Sequence, residues 1–438
     1  MSAADLKVKI SDRSARIGVI GLGYVGLPVA ALFAQKGFDV VGVDIKADRV
    51  DKINRGISPI EGNEPGLAEL LSEVVHSGKL KATTDTQMLA GRDIVLIDVE
   101  TPVNDVHVPE YLALRSALRS LGSVMKKGVL VVIESTIMPG TMQQIVLPIL
   151  EEASGMTCGN DFSLGNCPER VMPGKLLTNL RAMNRVVGGD SSEASAVMKA
   201  LYQQVVEAEV DEADWITAEL VKTVENAYRD VQIAFANEVA LISEALGASA
   251  WRVRELVRKS PGREMLMPGA GVGGHCIPKD PWLLASSVRD KDVEVRLIPA
   301  ARAVNSDMPR HMRDLIAEKI GDLKGKHVLL LGYAYLENSD DTRDSPAEYL
   351  RQLLTKAGAD VVIHDPYVEE FTGDLYKKAR GCDAAALVTA HSDYASLDFS
   401  RLAEAMTHAV LIDGRNLWDK QTVLGAGFDL VRLGDFSQ

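Results

Sequence analysis

Residues 15–26 read ARIGVIGLGYVG, an apolar β-type run that breaks into Gly21, Gly23 and Gly26 and leads into LPVAALFAQ at 27–35. A strand that ends in G-x-G-x-x-G and opens a helix begins a βαβ unit. Its glycines permit a tight turn and let a pyrophosphate approach backbone N–H groups at the helix N-terminus. The next apolar run, GFDVVGVDI (37–45), carries Asp44 near its end, 18 residues past Gly26. A carboxylate there accepts hydrogen bonds from an adenosine ribose and repels a 2′-phosphate, so NAD is favoured. Lys46 and Arg49 nearby leave NADP open on these residues alone. A tight turn without a ligand is the weaker reading once Asp44 is counted.

Outward from this stretch, RDIVLIDVETP (92–102) and VLVVIEST (129–136) read as further strands. Near-continuous Val and Ile content suits parallel strands covered on both faces. The last third repeats the style in GKHVLLLGYAY (325–335), GADVVIHDPY (358–367), CDAAALVTAHS (382–392) and HAVLIDGRN (408–416). The fold class expected is therefore α/β, with two Rossmann-like doubly wound domains. Between them, 213–246 contains neither Pro nor Gly and reads as one long helix. Val221, Val224, Tyr228, Val231, Phe235, Val239 and Ile242 fall at steps of three and four, which predicts a packed stripe. The division expected is 13–205, 206–312 and 313–438.

Composition narrows the functions. A chain of 438 residues with 46% apolar and 25% charged residues is an ordinary globular sequence of several domains. Its 48 basic against 61 acidic side chains, a net charge of −13, argue against a nucleic-acid partner. No apolar run approaches the ~20 residues that span a bilayer. The opening MSAADLKVKISDRSAR lacks the apolar core of a secretory signal, so a cytoplasmic location is expected. Cys158, Cys167, Cys276 and Cys382 form no C-x-x-C pair and have no His cluster at zinc spacing, so neither a disulfide framework nor a metal is expected.

Four stretches can carry chemistry. GAGVGGHCIPKD (269–280) holds four glycines within six residues, each costing about 0.5–1 kcal/mol in a regular element, which suggests backbone wrapped closely around a ligand. Cys276 follows that loop directly, with Lys279 and Asp280 just beyond, a polar setting for a thiol that needs a nearby cation to ionise. On the long helix, Lys222, Asn226 and Arg229 share one stripe; a solvated face is the usual explanation from the spacing alone, tempered by Asn, a mediocre helix former, in mid-helix. CPERVMPG (167–174) places Glu169 and Arg170 on a loop after a strand. Ser135 and Thr136 end a strand at the edge where α/β sheets bind ligands, although a helix cap is an equal reading.

Taken in order, GLGYVGLP, ESTIMPGT, CPERVMPG, the Lys222/Asn226 helix, GVGGHCIPKDPW and DDTRDSP resemble the motifs of the UDP-glucose/GDP-mannose dehydrogenase family over nearly the whole chain. The resemblance implies an N-terminal NAD domain, a helical dimerising centre and a C-terminal domain that grips the nucleotide. It implies oxidation of the C6 hydroxymethyl of a nucleotide-linked sugar to a carboxylate, with two NAD⁺ and one cysteine. Carried over residue by residue, Cys276 is the nucleophile, Lys222 assists proton transfer, Asn226 holds an oxygen, and Asp280 and Thr136 serve the Lys or the hydrolytic water. Gly21, Gly23, Tyr24, Val25, Gly26, Asp44, Arg49, Thr101, Thr136, Lys279 and Arg343 match cofactor positions. Glu169, Arg170, Val171, Lys222, Asn226, Arg229, Arg263 and Gly273 match substrate positions.

Within the family, His275 before the cysteine, CPERV and Arg229 resemble the branch acting on UDP-N-acetylhexosamines, with UDP-glucose or GDP-mannose as the alternative. Leu336 stands where members commonly carry Lys, and the segment from Arg263 to Cys276 is one residue shorter than in the N-acetylmannosamine branch. Both departures bear on the sugar and not on the redox centre. The expected partners are a UDP-sugar and a second copy of the chain, with no membrane. Two rivals remain: a two-electron dehydrogenase of the 6-phosphogluconate type, which needs neither the Gly-rich Cys loop nor a second α/β domain, and a non-catalytic NAD or nucleotide-sugar sensor.

Overall fold

The computed structural model describes residues 2–60, 62 and 64–435, and the chain divides into two compact units, 1–225 with 282–293 and 226–281 with 294–438. The first is built on an eight-stranded sheet: β1 (Arg16–Ile20), β2 (Asp39–Val43), β3 (Leu80–Thr83), β4 (Ile94–Ile97), β5 (Leu130–Ile133), β6 (Ser163–Asn166), β7 (Arg185–Gly189) and β8 (Val210–Asp214). Their order is β3-β2-β1-β4-β5-β6-β7-β8, so the strand sequence switches direction between β1 and β4. In open α/β sheets ligands bind at such a point, outside the carboxyl ends of the strands.

Alternation along each strand explains the continuous apolar runs. Ile17, Val19, Ile94, Leu96, Leu130 and Val132 join a core with the helix Gly26–Gln35 on one face. Ile20, Val95, Ile97, Val131 and Ile133 join a second core on the other, with the helix Leu112–Gly122. Each such side chain contributes about 1.5–3 kcal/mol when fully buried.

Four strands of this sheet go beyond the sequence reading. The stretches LKAT, SLGN, RVVGG and VDEAD of β3, β6, β7 and β8 are short and interrupted by charge or glycine, and lack the Val/Ile signature. They also bring an antiparallel pairing, β6 against β7, into an otherwise parallel sheet.

The second unit holds β9 (His327–Leu331), β10 (Asp360–His364), β11 (Ala384–Leu387), β12 (Val410–Asp413) and β13 (Asp429–Arg432), all parallel, in the order β10-β9-β11-β12-β13. The first four are the strands the sequence marks. Val328, Leu330, Ala386 and Ile412 face one core, and Leu329, Leu331, Ala385 and Leu411 face the other.

The long helix runs Trp215–Leu246, because Ala213 and Asp214 still belong to β8. Its predicted packed stripe needs correction. Tyr228 is 62%, Phe235 59% and Ile242 51% exposed, while the buried face carries Ala218, Ala227, Ala234 and Ala240 with Glu219, Lys222, Asp230 and Asn237. Small residues let the helix press closely on its own chain, and the large apolar groups are turned outward. Among the described residues, no helix is long and apolar enough to cross a membrane.

Candidate active site

In the N-terminal unit the glycine turn is shaped by the chain beneath it. Gly21 has φ +91°, and a Cβ there would lie 2.3 Å from the Asp98 carbonyl oxygen; one at Gly26 would lie 2.0 Å from the Gly21 oxygen. Gly23 is open, its nearest neighbour the Arg49 guanidinium at 4.0 Å. No side chain caps the helix Gly26–Gln35, so its N-terminal amides suit an anion. Asp44 is buried at the end of β2, accepting from the Leu22 and Lys46 amides at 2.9 Å each and from Arg49 Nη1 at 3.0 Å. A tight glycine cradle, an uncapped helix start and a carboxylate at the second strand fit a dinucleotide.

The neighbouring strand ends complete this crevice. Thr101 Oγ1 donates to the Thr136 carbonyl at 2.6 Å, tying the loops that follow β4 and β5. Val25 and Val171 pack against the core. Tyr24 Oη donates to Glu64, which also accepts the Gly174 amide at 2.9 Å and so ties the 167–174 loop to the turn.

That loop brings Glu169 into the interior, paired with Arg185. Burial pushes the Glu169 carboxyl above the usual carboxylate range, against the pull of Arg185 and then of Lys222. Lys222 is buried on the long helix, and Arg170 donates to Glu225 at 2.7 Å and to the Asn184 carbonyl. Buried Glu219 accepts the Gly140 and Met142 amides at 2.7 and 2.8 Å, and burial pushes it up to about 7.

The C-terminal unit carries the cysteine loop. Cys276 is exposed, whereas Cys167 and Cys382 are buried and burial pushes their thiols up; Cys158, half-buried, donates to Asp190 at 3.2 Å. The glycines before Cys276 need a different account from the one composition suggested. A Cβ at Gly273 would lie 2.5 Å from Tyr335 Cβ, one at Gly274 2.8 Å from the Tyr335 ring, and one at Gly271 3.1 Å from Pro346. Gly271 and Gly274 also have φ of +134° and +90°. Close packing on Tyr335 and the 344–346 segment already demands these glycines, before any ligand is considered.

The same unit gathers Asn226, Asp280, Lys279 and Arg343. Asn226 Nδ2 donates to buried Asp280 at 2.5 Å, and Lys279 Nζ stands 3.5 Å from the other Asp280 oxygen. The Cys276 carbonyl accepts the amides of Lys279 and Asp280 at 3.1 and 2.8 Å. The Arg343 carbonyl accepts the Gly274 amide at 2.9 Å, while its side chain pairs with Asp341. His275 is held below the ordinary histidine range by desolvation and by the charges of Lys279 and Arg343. Arg229 and Arg263 are exposed, the first on the long helix and the second beyond the helix Ala250–Val257. Leu336 is half-buried.

Two residues belong here that the sequence reading did not single out. Arg185 opens β7 as the partner of Glu169. Arg415 lies just past β12, pairing with Glu337 at 3.0 Å, and its Nη1 would meet a Cβ at Gly269 at 2.6 Å. A cation placed directly after a strand in HAVLIDGRN was the available signal for the second. Among the described residues, no group of three or more His, Cys, Asp or Glu is arranged to hold a metal.

The chain matches three profiles: "UDP-glucose/GDP-mannose dehydrogenase family, NAD binding domain" over residues 15–206, the central domain of that family over 216–307 and its UDP binding domain over 329–420. It is similar to the UDP-N-acetyl-D-mannosamine dehydrogenase of Pyrococcus horikoshii, 38% identical over 96% of this chain and 100% of that protein. Among solved structures, a UDP-D-ManNAc dehydrogenase from the same organism superposes with a TM-score of 0.90 at 37% identity, over 97% of this chain and 100% of the other. An NDP-N-acetyl-D-galactosaminuronic acid dehydrogenase from Methanosarcina mazei Go1 gives 0.86 at 38% identity, over 100% and 98%.

Proposed function

We propose that this chain, which belongs to the UDP-glucose/GDP-mannose dehydrogenase family and is an NAD-dependent nucleotide-sugar dehydrogenase, oxidises the C6 hydroxyl of a UDP-N-acetylhexosamine to the carboxylate. Relatives named for UDP-N-acetyl-D-mannosamine and for an N-acetyl-D-galactosaminuronic acid support the hexosamine over glucose or mannose. The hydride acceptor for both oxidations would be bound NAD⁺, two equivalents per turnover. Gly21, Gly23, Tyr24, Val25, Gly26, Asp44, Arg49, Thr101, Lys279 and Arg343 serve its binding.

Exposed Cys276, whose carbonyl accepts the amide of the same Asp280 that accepts from Asn226, is the observation that carries the mechanism. The C6 alcohol first loses a hydride and a proton to become an aldehyde. The Cys276 thiolate then adds to that carbon, giving a thiohemiacetal. A second hydride loss leaves a thioester, and water cleaves the C–S bond to release the acid and the thiolate. Lys222 and Asn226 stabilise the oxygen that gains charge, and Asp280 and Thr136 orient the water. Glu169, Arg170, Val171, Arg229, Arg263 and Gly273 hold the substrate.

The test is NADH stoichiometry with UDP-linked N-acetylmannosamine, N-acetylglucosamine and N-acetylgalactosamine, UDP-glucose and GDP-mannose. Two NADH per N-acetylhexosamine consumed is expected. A reproducible ratio of one eliminates the four-electron route, and no turnover on any sugar favours a sensor.

The family profiles support the division at 13–205, 206–312 and 313–438. The outward apolar stripe of Val224, Tyr228, Phe235 and Ile242 supports a homodimer joined through the long helix, and a cytoplasmic location is proposed with it. Sedimentation of Phe235→Glu should show monomer; an undisturbed dimer would remove the helix from the interface.

A further inference from the structure

β4 and β5 are neighbours in register, Ile97 opposite Ile133, so Asp98 and Glu134 leave the sheet side by side. Glu134 is buried; its Oε1 accepts from Tyr202 Oη at 2.5 Å, and its Oε2 has no hydrogen-bond partner. Asp98 Oδ2 is likewise buried without one. Ionised carboxylates only accept, so two of them side by side in the interior leave both oxygens unsatisfied and repel each other. A proton between them supplies the missing donor and removes one charge.

The surroundings favour that state. The ionisable groups facing the pair are Glu169, Arg185, Tyr202 and Cys167, and the one cation among them, Arg185, is already paired with Glu169. Burial, then Glu134, drives the Asp98 carboxyl well above the usual range. Asp98 also floors the glycine turn: a Cβ at Gly26 would lie 2.9 Å from its Cβ, and one at Gly21 would strike its carbonyl oxygen. Charge on Asp98 would oppose a pyrophosphate held by that turn; an uncharged acid does not.

We propose that Asp98 and Glu134 share a single proton beneath the dinucleotide turn, making Asp98 a positioning residue that sets how tightly the N-terminal unit holds NAD⁺. The infrared difference between ligand-free wild type and Asp98→Asn at neutral pH should show the carbonyl band of one protonated, buried carboxylic acid, beyond the bands of Glu169 and Glu219 that both proteins share. Calorimetric titration with NAD⁺ from pH 6 to 9 should show wild-type affinity falling with pH, by up to about tenfold per unit once the proton leaves. Asp98→Asn, permanently uncharged, should stay within about threefold of the low-pH wild-type value throughout. The wild-type titration needs no variant to fold. A missing band, a level wild-type affinity or an Asp98→Asn variant that keeps the slope overturns the shared proton.

Discussion

The two units prepare for the reaction in opposite ways. The N-terminal unit buries charge: Glu169 against Arg185, Glu219 on two amides, Lys222 on the covered side of its helix. The C-terminal unit instead fixes backbone, pressing Gly271, Gly273 and Gly274 onto Tyr335 and Pro346 and leaving Cys276 at the surface. The first arrangement stores its bias in protonation states and the second in the position of a thiol. Perturbing the first should therefore register in stability and pH dependence, and perturbing the second in thiol chemistry.

The largest effect expected lies at the surface thiol. Cys276→Ser should lower acid formation by on the order of 10³-fold while leaving the affinity for NAD⁺ nearly intact. Normal acid yield from that variant would refute the covalent role. Arg185→Leu leaves Glu169 buried without its partner and should cost about 3–5 kcal/mol in urea unfolding. A loss below ~1 kcal/mol would mean that the N-terminal unit does not depend on that pair.

Glu219 offers a gentler probe of the same unit. Its native carboxyl lies at about 7 against an ordinary 4.5, so the folded state holds the proton more tightly than the unfolded chain does. The stability this confers is complete below about pH 4.5 and is lost as pH rises through about 7, a fall of about 3 kcal/mol. Glu219→Gln should flatten that slope, measured by unfolding at pH 5 and pH 8; an unchanged slope would place its origin elsewhere. The smallest effect sharpens the contrast. Gly274→Ala forces a left-handed backbone on a side chain, at about 1–2 kcal/mol, and crowds the Tyr335 ring. The rate at which iodoacetamide alkylates Cys276 should change severalfold while NAD⁺ affinity holds, and an unaltered rate would show that the thiol does not depend on the glycine packing.

Legibility in the sequence followed the same divide. Gly21 to Gly26 with Asp44 could be read because every constraint there is local: a strand, a turn, a helix start and one carboxylate at a fixed interval. The parallel strands were legible for a similar reason, since burial on both faces writes itself as unbroken Val and Ile. Arg185 was not, because its role arises from pairing between β6 and β7, whose residues SLGN and RVVGG carry no apolar signature. The glycines before Cys276 were visible but their packing demand was not, since its source, Tyr335, lies some sixty residues on. The helix stripe showed its period correctly and its direction wrongly: periodicity identifies a face, but alanines decided which face the chain itself covers.

The reversal between β6 and β7 reaches further than its two paired residues suggest. Gly165 lies opposite Gly189 and Asn166 opposite Gly188; carrying the same register three positions on sets Glu169 across from Arg185. The stretch from 167 to 184 thus departs from and returns to one rim of the sheet, fastened at its base by an ion pair. Nothing in the strand order depends on its length; side-chain packing holds it instead, with Leu176, Leu177 and Leu180 in the core below and the Gly174 amide on Glu64.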